Sequence, residues 1–377
     1  MKMKHLLLII TTLLCLTISA NDGIYYTSGN ELIPMQETDI RVQKEVLTIS
    51  LGDDHMAKVD VYYEFHNATP DNKTIRIGFE AEPPYNTSDK LCTQGIHPYI
   101  KNFTVNINGN DLTFKNAVCQ LGKFAPIDTK AWKLDSEMGT SLVNSSTGQT
   151  IDNYAYVYYF DATFKPGINR VHHTYRYTMS QSVGMAFSVP YKLSPATRWA
   201  GGKIGDFKLI IRADNTAKHF VFATASVNNA MPQVAEGTGK VRKTTLYGND
   251  GYWEVSLRNG ALTVHLTDFS PKPENELNIQ SADVKSSYDE VARFGAFYDR
   301  STSMSLSIWS QINHKQQLST KFLKRIAHNL PYANRGHVFR NTQLKKYFES
   351  LWWYMPDATY TDSTSDFTTS DWDYIKY

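Results

Sequence analysis

The chain has 377 residues, with 39 basic and 37 acidic side chains and a formal charge of +2. So small a net charge removes the electrostatic argument for a nucleic-acid partner or an anionic membrane surface, and the length suffices for two or three domains with their own cores. Aromatic residues make up 13%, with 23 tyrosines against 14 prolines, a balance that favours strands.

The N-terminus reads as an export signal. Lys2 and Lys4 precede an apolar run, Leu6 to Ile10 and Leu13 to Leu16, broken only by Thr11 and Thr12. Ile18-Ser19-Ala20 then offers small residues ahead of Asn21-Asp22, the order of a secretory signal peptide. Cleavage is expected between Ala20 and Asn21, which leaves equal numbers of basic and acidic side chains. The run is shorter than the about 20 apolar residues a bilayer requires, and no second one follows, so no transmembrane span is expected after its removal. Bulky Leu14 before Cys15 argues against lipid attachment. The expected location is extracytoplasmic: periplasm, cell surface or medium.

Cys92 and Cys119 are then the remaining cysteines. In an oxidising compartment an even count reads as one disulfide, worth on the order of 3 kcal/mol for a long loop; two unpaired buried thiols are the alternative. No His pair stands at ligand spacing beside them, so neither metal nor cofactor is expected. Asn-x-Ser/Thr triplets at Asn67, Asn72, Asn86, Asn102 and Asn144 suggest exposed loops.

From about residue 40 to 270 the dominant period is two. Val59, Val61, Tyr63 and Phe65 fall on one face, and the turn chemistry of 66–72 predicts a hairpin with Lys73 to Phe79. Asn102 to Ile107 and Leu112 to Phe114 flank a second turn at 108–111. Tyr154 to Phe164 and Arg170 to Met179 read as a pair around Pro166-Gly167. Five further short strands follow: Phe207 to Ala213, Phe220 to Ala225, Thr244 to Tyr247, Gly251 to Leu257 and Ala261 to Thr267. The fold class is mainly β, a large antiparallel sandwich-type region of one or two sandwiches.

The pattern changes after Pro271-Lys272-Pro273. Ser281 to Arg293 reads as a short amphipathic helix. Ser319 to Leu330 has helical apolar spacing, with Pro331 ending or bending it. Asn341-Thr342 caps another helix carrying Leu344, Tyr347, Phe348 and Leu351, and an aromatic cluster, Trp372 to Ile375, closes the chain. The expected organisation is a signal peptide over 1–20, a β-rich domain over 21–275, a linker over 276–311 and a small helical domain over 312–377.

The small domain resembles the YARHG domain of bacterial envelope and extracellular proteins. The resemblance rests on Tyr332-Ala333-Asn334-Arg335-Gly336-His337-Val338-Phe339, followed in order by Leu344, Tyr347-Phe348, Trp353-Tyr354 and Pro356. Asn334 and Arg335 stand where the family has Arg and His. The large domain is similar to an uncharacterised family of exported bacterial domains found in front of YARHG. That similarity is carried by Asn21-Asp22-Gly23, Phe65-His66-Asn67, Phe164 to Gly167 with Tyr175-Arg176-Tyr177, and the stretch from Tyr191 to Phe207. The resemblance implies an envelope location and a fold, and little chemistry.

Two readings of the C-terminal signature compete. In the first it is packing: Gly336 supplies the positive φ that ends a helix, and Tyr332, Phe339, Tyr347, Phe348, Trp353 and Tyr354 build a small core. In the second, Tyr332, Arg335, His337, Trp353 and Tyr354 line a groove that binds cell-wall glycan, since aromatic faces and planar donors suit sugars. His172 and His173 are adjacent on a strand and point to opposite faces, so they cannot share a metal. Tyr154, Tyr156 and Tyr158 share a face and read as an aromatic ladder or a sugar platform. Gly201-Gly202-Lys203-Ile204-Gly205 lacks a Gly-Lys-Ser/Thr ending, so Trp199 and Gly202 are expected to be structural.

No catalytic motif is present: no nucleophile elbow, no His-Glu-x-x-His, no zinc quartet. The expected function is a binding or scaffold module for cell-wall glycan or an envelope protein. The alternative is a hydrolase of envelope polysaccharide or peptidoglycan using a carboxylate pair, which has no local motif.

Overall fold

The computed structural model describes residues 29–36, 38–52, 54–84, 91, 94–122, 124–135, 141–182, 185–246, 249–281, 319–367 and 369–376. The export signal, Cys92 and the helix expected beyond Ser281 lie outside them. The strands are β1 (Leu32–Pro34), β2 (Arg41–Leu51), β3 (Met56–Asn67), β4 (Lys73–Ala81), β5 (Ile100–Ile107), β6 (Asn110–Asp111), β7 (Lys115–Gln120), β8 (Trp132–Leu134) and β9 (Ser141–Asn144). They continue as β10 (Thr150–Asp152), β11 (Tyr154–Phe164), β12 (Gly167–Thr178), β13 (Ser180–Ser182), β14 (Met185–Tyr191), β15 (Ile204–Ala223), β16 (Gln233–Leu246), β17 (Asn249–Phe269) and β18 (Leu277–Ser281).

An 11-stranded sheet runs β13-β14-β18-β15-β2-β3-β12-β5-β6, with β17 on β15 and β16 on β17. β15 runs parallel to β2, and the other pairs are antiparallel. A 4-stranded sheet, β1-β4-β11-β7, covers one face of it, and a separate 3-stranded sheet, β10-β9-β8, packs on the same core through Leu142. The core between the first two is aromatic. Phe65 on β3 meets Phe164 on β11, and Phe79 on β4 meets Tyr175 on β12 at 4.8 Å. Trp199 packs on Phe65 at 4.3 Å and donates its indole N–H to Leu32 O. The mainly-β class and the inward face of Val59, Val61, Tyr63 and Phe65 are as expected.

Pairing departs from expectation in an instructive way. β3 and β4 are not a hairpin, and neither are β11 and β12. β3 pairs with β12 in the large sheet, and β4 pairs with β11 in the small one. The turns at 68–72 and 165–166 therefore carry a two-stranded ribbon from one sheet to the other. Two asparagines hold this fold-over. Asn67 Oδ1 accepts from Thr69 N and Thr69 Oγ1, while its Nδ2 donates to Asp71 O and Phe164 O. Asn169 Nδ2 donates to Lys165 O and Gly167 O, and its Oδ1 accepts from Lys165 N. Asn67 and Asn169 are buried, so Asn67 is not the exposed loop residue its triplet suggested.

Three further corrections follow. The strands expected at 207–213 and 220–225 are one strand, β15, and those at 251–257 and 261–267 are one strand, β17; irregularities in their pairing divide the hydrophobic pattern. β18 joins the large sheet beyond residue 275. The Cys92–Cys119 disulfide is not formed: Cys119 on β7 is a free, buried thiol in an apolar niche with Ala155 and Val157. Burial there pushes the thiol up to about 11.

Replacing Asn67 removes a donor and an acceptor from a buried crossing and leaves backbone groups unmatched. Asn67→Ala is expected to lower unfolding stability by about 2–4 kcal/mol in urea titration, against less than about 1 kcal/mol for Thr69→Ala.

Candidate functional site

The C-terminal region is built from three helices: α1 (Thr320–Asn334), α2 (Thr342–Glu349) and α3 (Thr369–Lys376). Ser319 caps α1, its side chain accepting from Phe322 N, and Asn341 caps α2 by accepting from Leu344 N. Pro331 does not end α1, which runs three residues further. Gly336, at φ +95°, closes it: Gly336 N donates to Ala333 O and His337 N to Tyr332 O, the paired bonds of a Schellman ending.

Arg335 binds the start of α3 to the end of α1. Its guanidinium forks onto Asp371, with Nη2 to Oδ2 at 2.9 Å and Nη1 to Oδ1 at 3.3 Å. Nε donates to Asp366 Oδ2, Nη1 to Pro331 O and Nη2 to Asp366 O. The Phe367 ring lies over it at 4.4 Å. Arg335 and Asp371 are both buried, so this is an internal lock with no donor left for a ligand.

Trp353 and Tyr354 are also buried, and they face the large sheet. Trp353 meets the His219 ring edge-on at 5.3 Å, and its carbonyl accepts from Ser256 Oγ. Lys240 Nζ donates to Tyr354 O, Arg258 Nη1 to Met355 O, and Arg242 lies over Trp352 at 4.4 Å. Asn334 Oδ1 and His219 Nε2 share a hydrogen bond at 2.9 Å. Val221 and Tyr252 join the apolar core of the helices. The helical region is thus seated on β15, β16 and β17 through half of its own signature. A Cβ at Gly336 would stand 2.5 Å from Arg258 Nη1 and 2.8 Å from Asp357 Cβ, so this position serves both the helix ending and the seat. Phe339 and Phe348 stack at 4.5 Å beneath, with Tyr347 against Phe322.

Tyr332 and His337 are half-exposed, and His337 O accepts from Tyr354 Oη. Tyr332 is 5.2 Å from Phe367, and Phe367 is 5.4 Å from Trp372, which is 41% exposed. His328 and His337 flank Tyr332 at 6.4 and 6.3 Å, and His337 Nδ1 is paired with Asp362. This row of rings, edged by Asp362 and by Asp366, is an accessible aromatic surface among the described residues. Of the five residues expected to bind, the structure places two in it, Tyr332 and His337. Phe367 is not legible as a site residue because its partner Tyr332 lies far earlier in the sequence, and Trp372 reaches the row only through Phe367; the terminal aromatic cluster is the available signal.

In the β-region, Tyr154, Tyr156 and Tyr158 are all buried, with Tyr158 against Phe79 and Phe103. His172 is exposed and pairs with Asp60, while His173 is buried among Tyr63, Phe79 and Tyr175. Gly202 N donates to Trp199 O in the turn leading to β15. Among the described residues no three His, Cys, Asp or Glu side chains gather, and no helix is long and apolar enough to cross a membrane.

Two places bear on a hydrolytic reading. An open depression of about 550 Å³, lined by Gln36, Thr38, Asp39, Lys73, Thr74 and Ile75, holds one carboxylate, and Lys73 neutralises it. Glu31 and Glu45 form a carboxyl pair, but both are wholly buried and face each other. A glycosidase needs two carboxyls flanking an accessible bond, about 5 to 9.5 Å apart; neither place offers that.

Removing the Arg335 side chain leaves Asp371 buried without its cation. Arg335→Ala is expected to cost about 3–5 kcal/mol of stability, and Arg335→Lys, which loses the fork, a large part of that. Chemical unfolding followed by tryptophan fluorescence checks both.

No curated protein matches the sequence. The chain is similar over 94% of its length to the crystal structure of a candidate nutrient-binding protein from Legionella pneumophila, covering 99% of that chain at 18% identity and a TM-score of 0.51. A likeness at this level concerns the fold. An M1 zinc metallopeptidase from Deinococcus radiodurans matches over 66% of this chain and 43% of its own, at 11% identity and a TM-score of 0.28, too slight to bear on activity. Two family models match segments, one over 20–128 and one over 311–377. Domains of the second kind are typical of extracytoplasmic proteins. With the Schellman ending at Gly336, the Arg335 lock and the Phe339–Phe348 core all drawn from the matched C-terminal segment, the chain carries a YARHG domain at residues 311–377 after an N-terminal domain of unknown function, DUF4424, at residues 20–128.

Proposed function

We propose that the protein is exported, cleaved between Ala20 and Asn21, and works outside the cytoplasm as a non-catalytic binding protein for cell-envelope glycan. The observation that carries this reading is the aromatic row Tyr332–Phe367–Trp372, half-exposed at Tyr332 and Phe367 and exposed at Trp372. The rings step across the surface at interplanar angles of 63° and 57°; the exposed Trp372 ring accepts the C–H face of a sugar, and Asp362, Asp366 and His337 at the edge supply partners for its hydroxyls. The rings are held stiffly: Phe367 rests on the Arg335 lock, and α1 is anchored to the β-region through Asn334. A pre-formed, rigid surface loses little entropy on binding. The β-region then acts as the scaffold that carries this face. The Legionella protein of similar fold is a candidate nutrient-binding protein, which supports a binding role in general.

The full-length mature chain is expected to be retained on peptidoglycan or on immobilised envelope polysaccharide. Trp372→Ala is expected to weaken that retention at least about tenfold, or about 1.4 kcal/mol, with the fold retained, because the side chain is 41% exposed and lies outside the core of the helices. Equal retention of wild type and variant, or none by either, refutes the glycan reading.

A further inference from the structure

The segment Gly29–Pro34 crosses the core of the β-region and is tied down on both sides. Gly29 N donates to Pro190 O, and Lys192 N donates to Gly29 O. A Cβ at Gly29 would stand 2.4 Å from the Tyr191 ring and 2.9 Å from the Tyr175 hydroxyl, so the backbone lies directly on them. Asn30 N donates to Tyr175 Oη, and Asn30 Nδ2 to Glu80 O. β1 then pairs with the edge of β4. Between these ties the segment drives Glu31 inward.

There Glu31 meets Glu45 of β2, and Tyr63 Oη of β3 donates to Glu31 Oε2. Both carboxyls are excluded from solvent. Glu31 Oε1, both Glu45 oxygens and Tyr191 Oη of β14 have no partner at hydrogen-bonding geometry, although they face one another. The groups surrounding the pair are Tyr63, Tyr175 of β12, Tyr191 and, from the turn before β18, Glu276. Glu276 is itself engaged by Ser194 N and Ser194 Oγ. The charges acting on the two carboxyls are negative: each other and Glu276. His173, further along β12, stays neutral, since burial pulls its imidazole down to about 3. Two carboxylates in contact, buried and without a cation, cannot both ionise. A proton on one acid supplies the donor that the orphaned oxygens lack.

We propose that Gly29–Pro34 is a proton-locked strap, seated while Glu31 and Glu45 share a proton and released when they lose it. The sign follows from burial. Exposed, both acids ionise near the ordinary value of 4.5; in place, burial holds Glu31 up to about 7 and Glu45 above its ordinary value as well. Release of the strap therefore gives up protons between about 4.5, where the exposed acids ionise, and the raised values at which the seated ones do. Seating is firmest below that and weakens as the pH rises through about 7. For a protein outside the cytoplasm, whose surroundings are not buffered by the cell, this ties the state of the strap to the medium. The inference is independent of the glycan reading.

Hydrogen exchange on the full mature chain between pH 5 and 8 tests it. Amide exchange rises with pH through base catalysis alone. In the strap it is expected to rise at least about a further tenfold per pH unit between about 5 and 7, because each opening releases one or both of the protons the pair holds in place. Amides in the β3–β12 pairing are expected to show no excess. In the E31Q/E45Q double variant, which keeps the shape and removes the titration, the excess should vanish. A strap that follows base catalysis alone in the wild type, or an excess that survives in the double variant, overturns the proposal. Should that variant not fold, infrared spectroscopy of the wild type decides. A protonated-carboxyl band persisting at pH 6 is expected, and a fully ionised spectrum there overturns it.

Discussion

The fold depends on one constraint: a two-stranded ribbon must leave one sheet and enter the other without losing its pairing. β3 and β12 in the large sheet become β4 and β11 in the small one, and the two crossings lie side by side, Gly167 opposite Asn67 and Phe164 opposite Lys73. Backbone groups at such a bend have no ladder partner. Asn67 and Asn169 supply the missing bonds from their side chains, each as donor and acceptor at once. Because the ribbon folds over on itself, the inner faces of its two halves are opposed. That is why Phe65 finds Phe164 and Phe79 finds Tyr175.

A core closed this way is filled by large rings, several of which carry a polar tip. Tyr177 Oη reaches Pro190 O and Trp199 Nε1 reaches Leu32 O, so those tips are matched by backbone of neighbouring segments. The region around Glu31 and Glu45 is different. There the tips point at two acids, and matching is possible only while a proton is present. An apolar pair of similar volume would pack there without this condition. The arrangement makes the seating of one short segment conditional where the rest of the core is not.

Strand faces were legible in the sequence, and strand partners were not. Alternation at Val59, Val61, Tyr63 and Phe65 fixes which side is buried, since the period of two does so for any sheet. It does not say which strand lies alongside, and turn residues at 66–72 look the same whether the chain doubles back or crosses over. β15 and β17 were read as two strands each because their irregular pairing shifts the alternation midway. The small domain was legible through its signature, cap by cap, with Asn341 and Gly336 in their expected places. What the signature could not reveal was its orientation. Arg335 looks like an exposed donor until Asp371, 36 residues later, is brought under it. Trp353 looks like a sugar platform until His219, far earlier in the chain, is set against it.

That orientation also explains where this chain departs from the YARHG pattern. Asn334 stands where the resemblance puts an arginine, and its side chain lies in the buried seat, bonded to His219. A guanidinium there would bring a permanent charge into an interface that already holds the Arg258 guanidinium, itself matched by Met355 O and Asp357. A second cation would need a further acid to offset its desolvation; a neutral amide matches the imidazole without one. Arg335, one position on, faces the other way, toward Asp366 and Asp371, where a cation is matched twice over. The two departures thus divide by direction: the neutral residue faces the β-region and the charged one faces the tail. With a neutral amide in the seat and the tail pinned by charge, the tail brings its own rings up beside Tyr332.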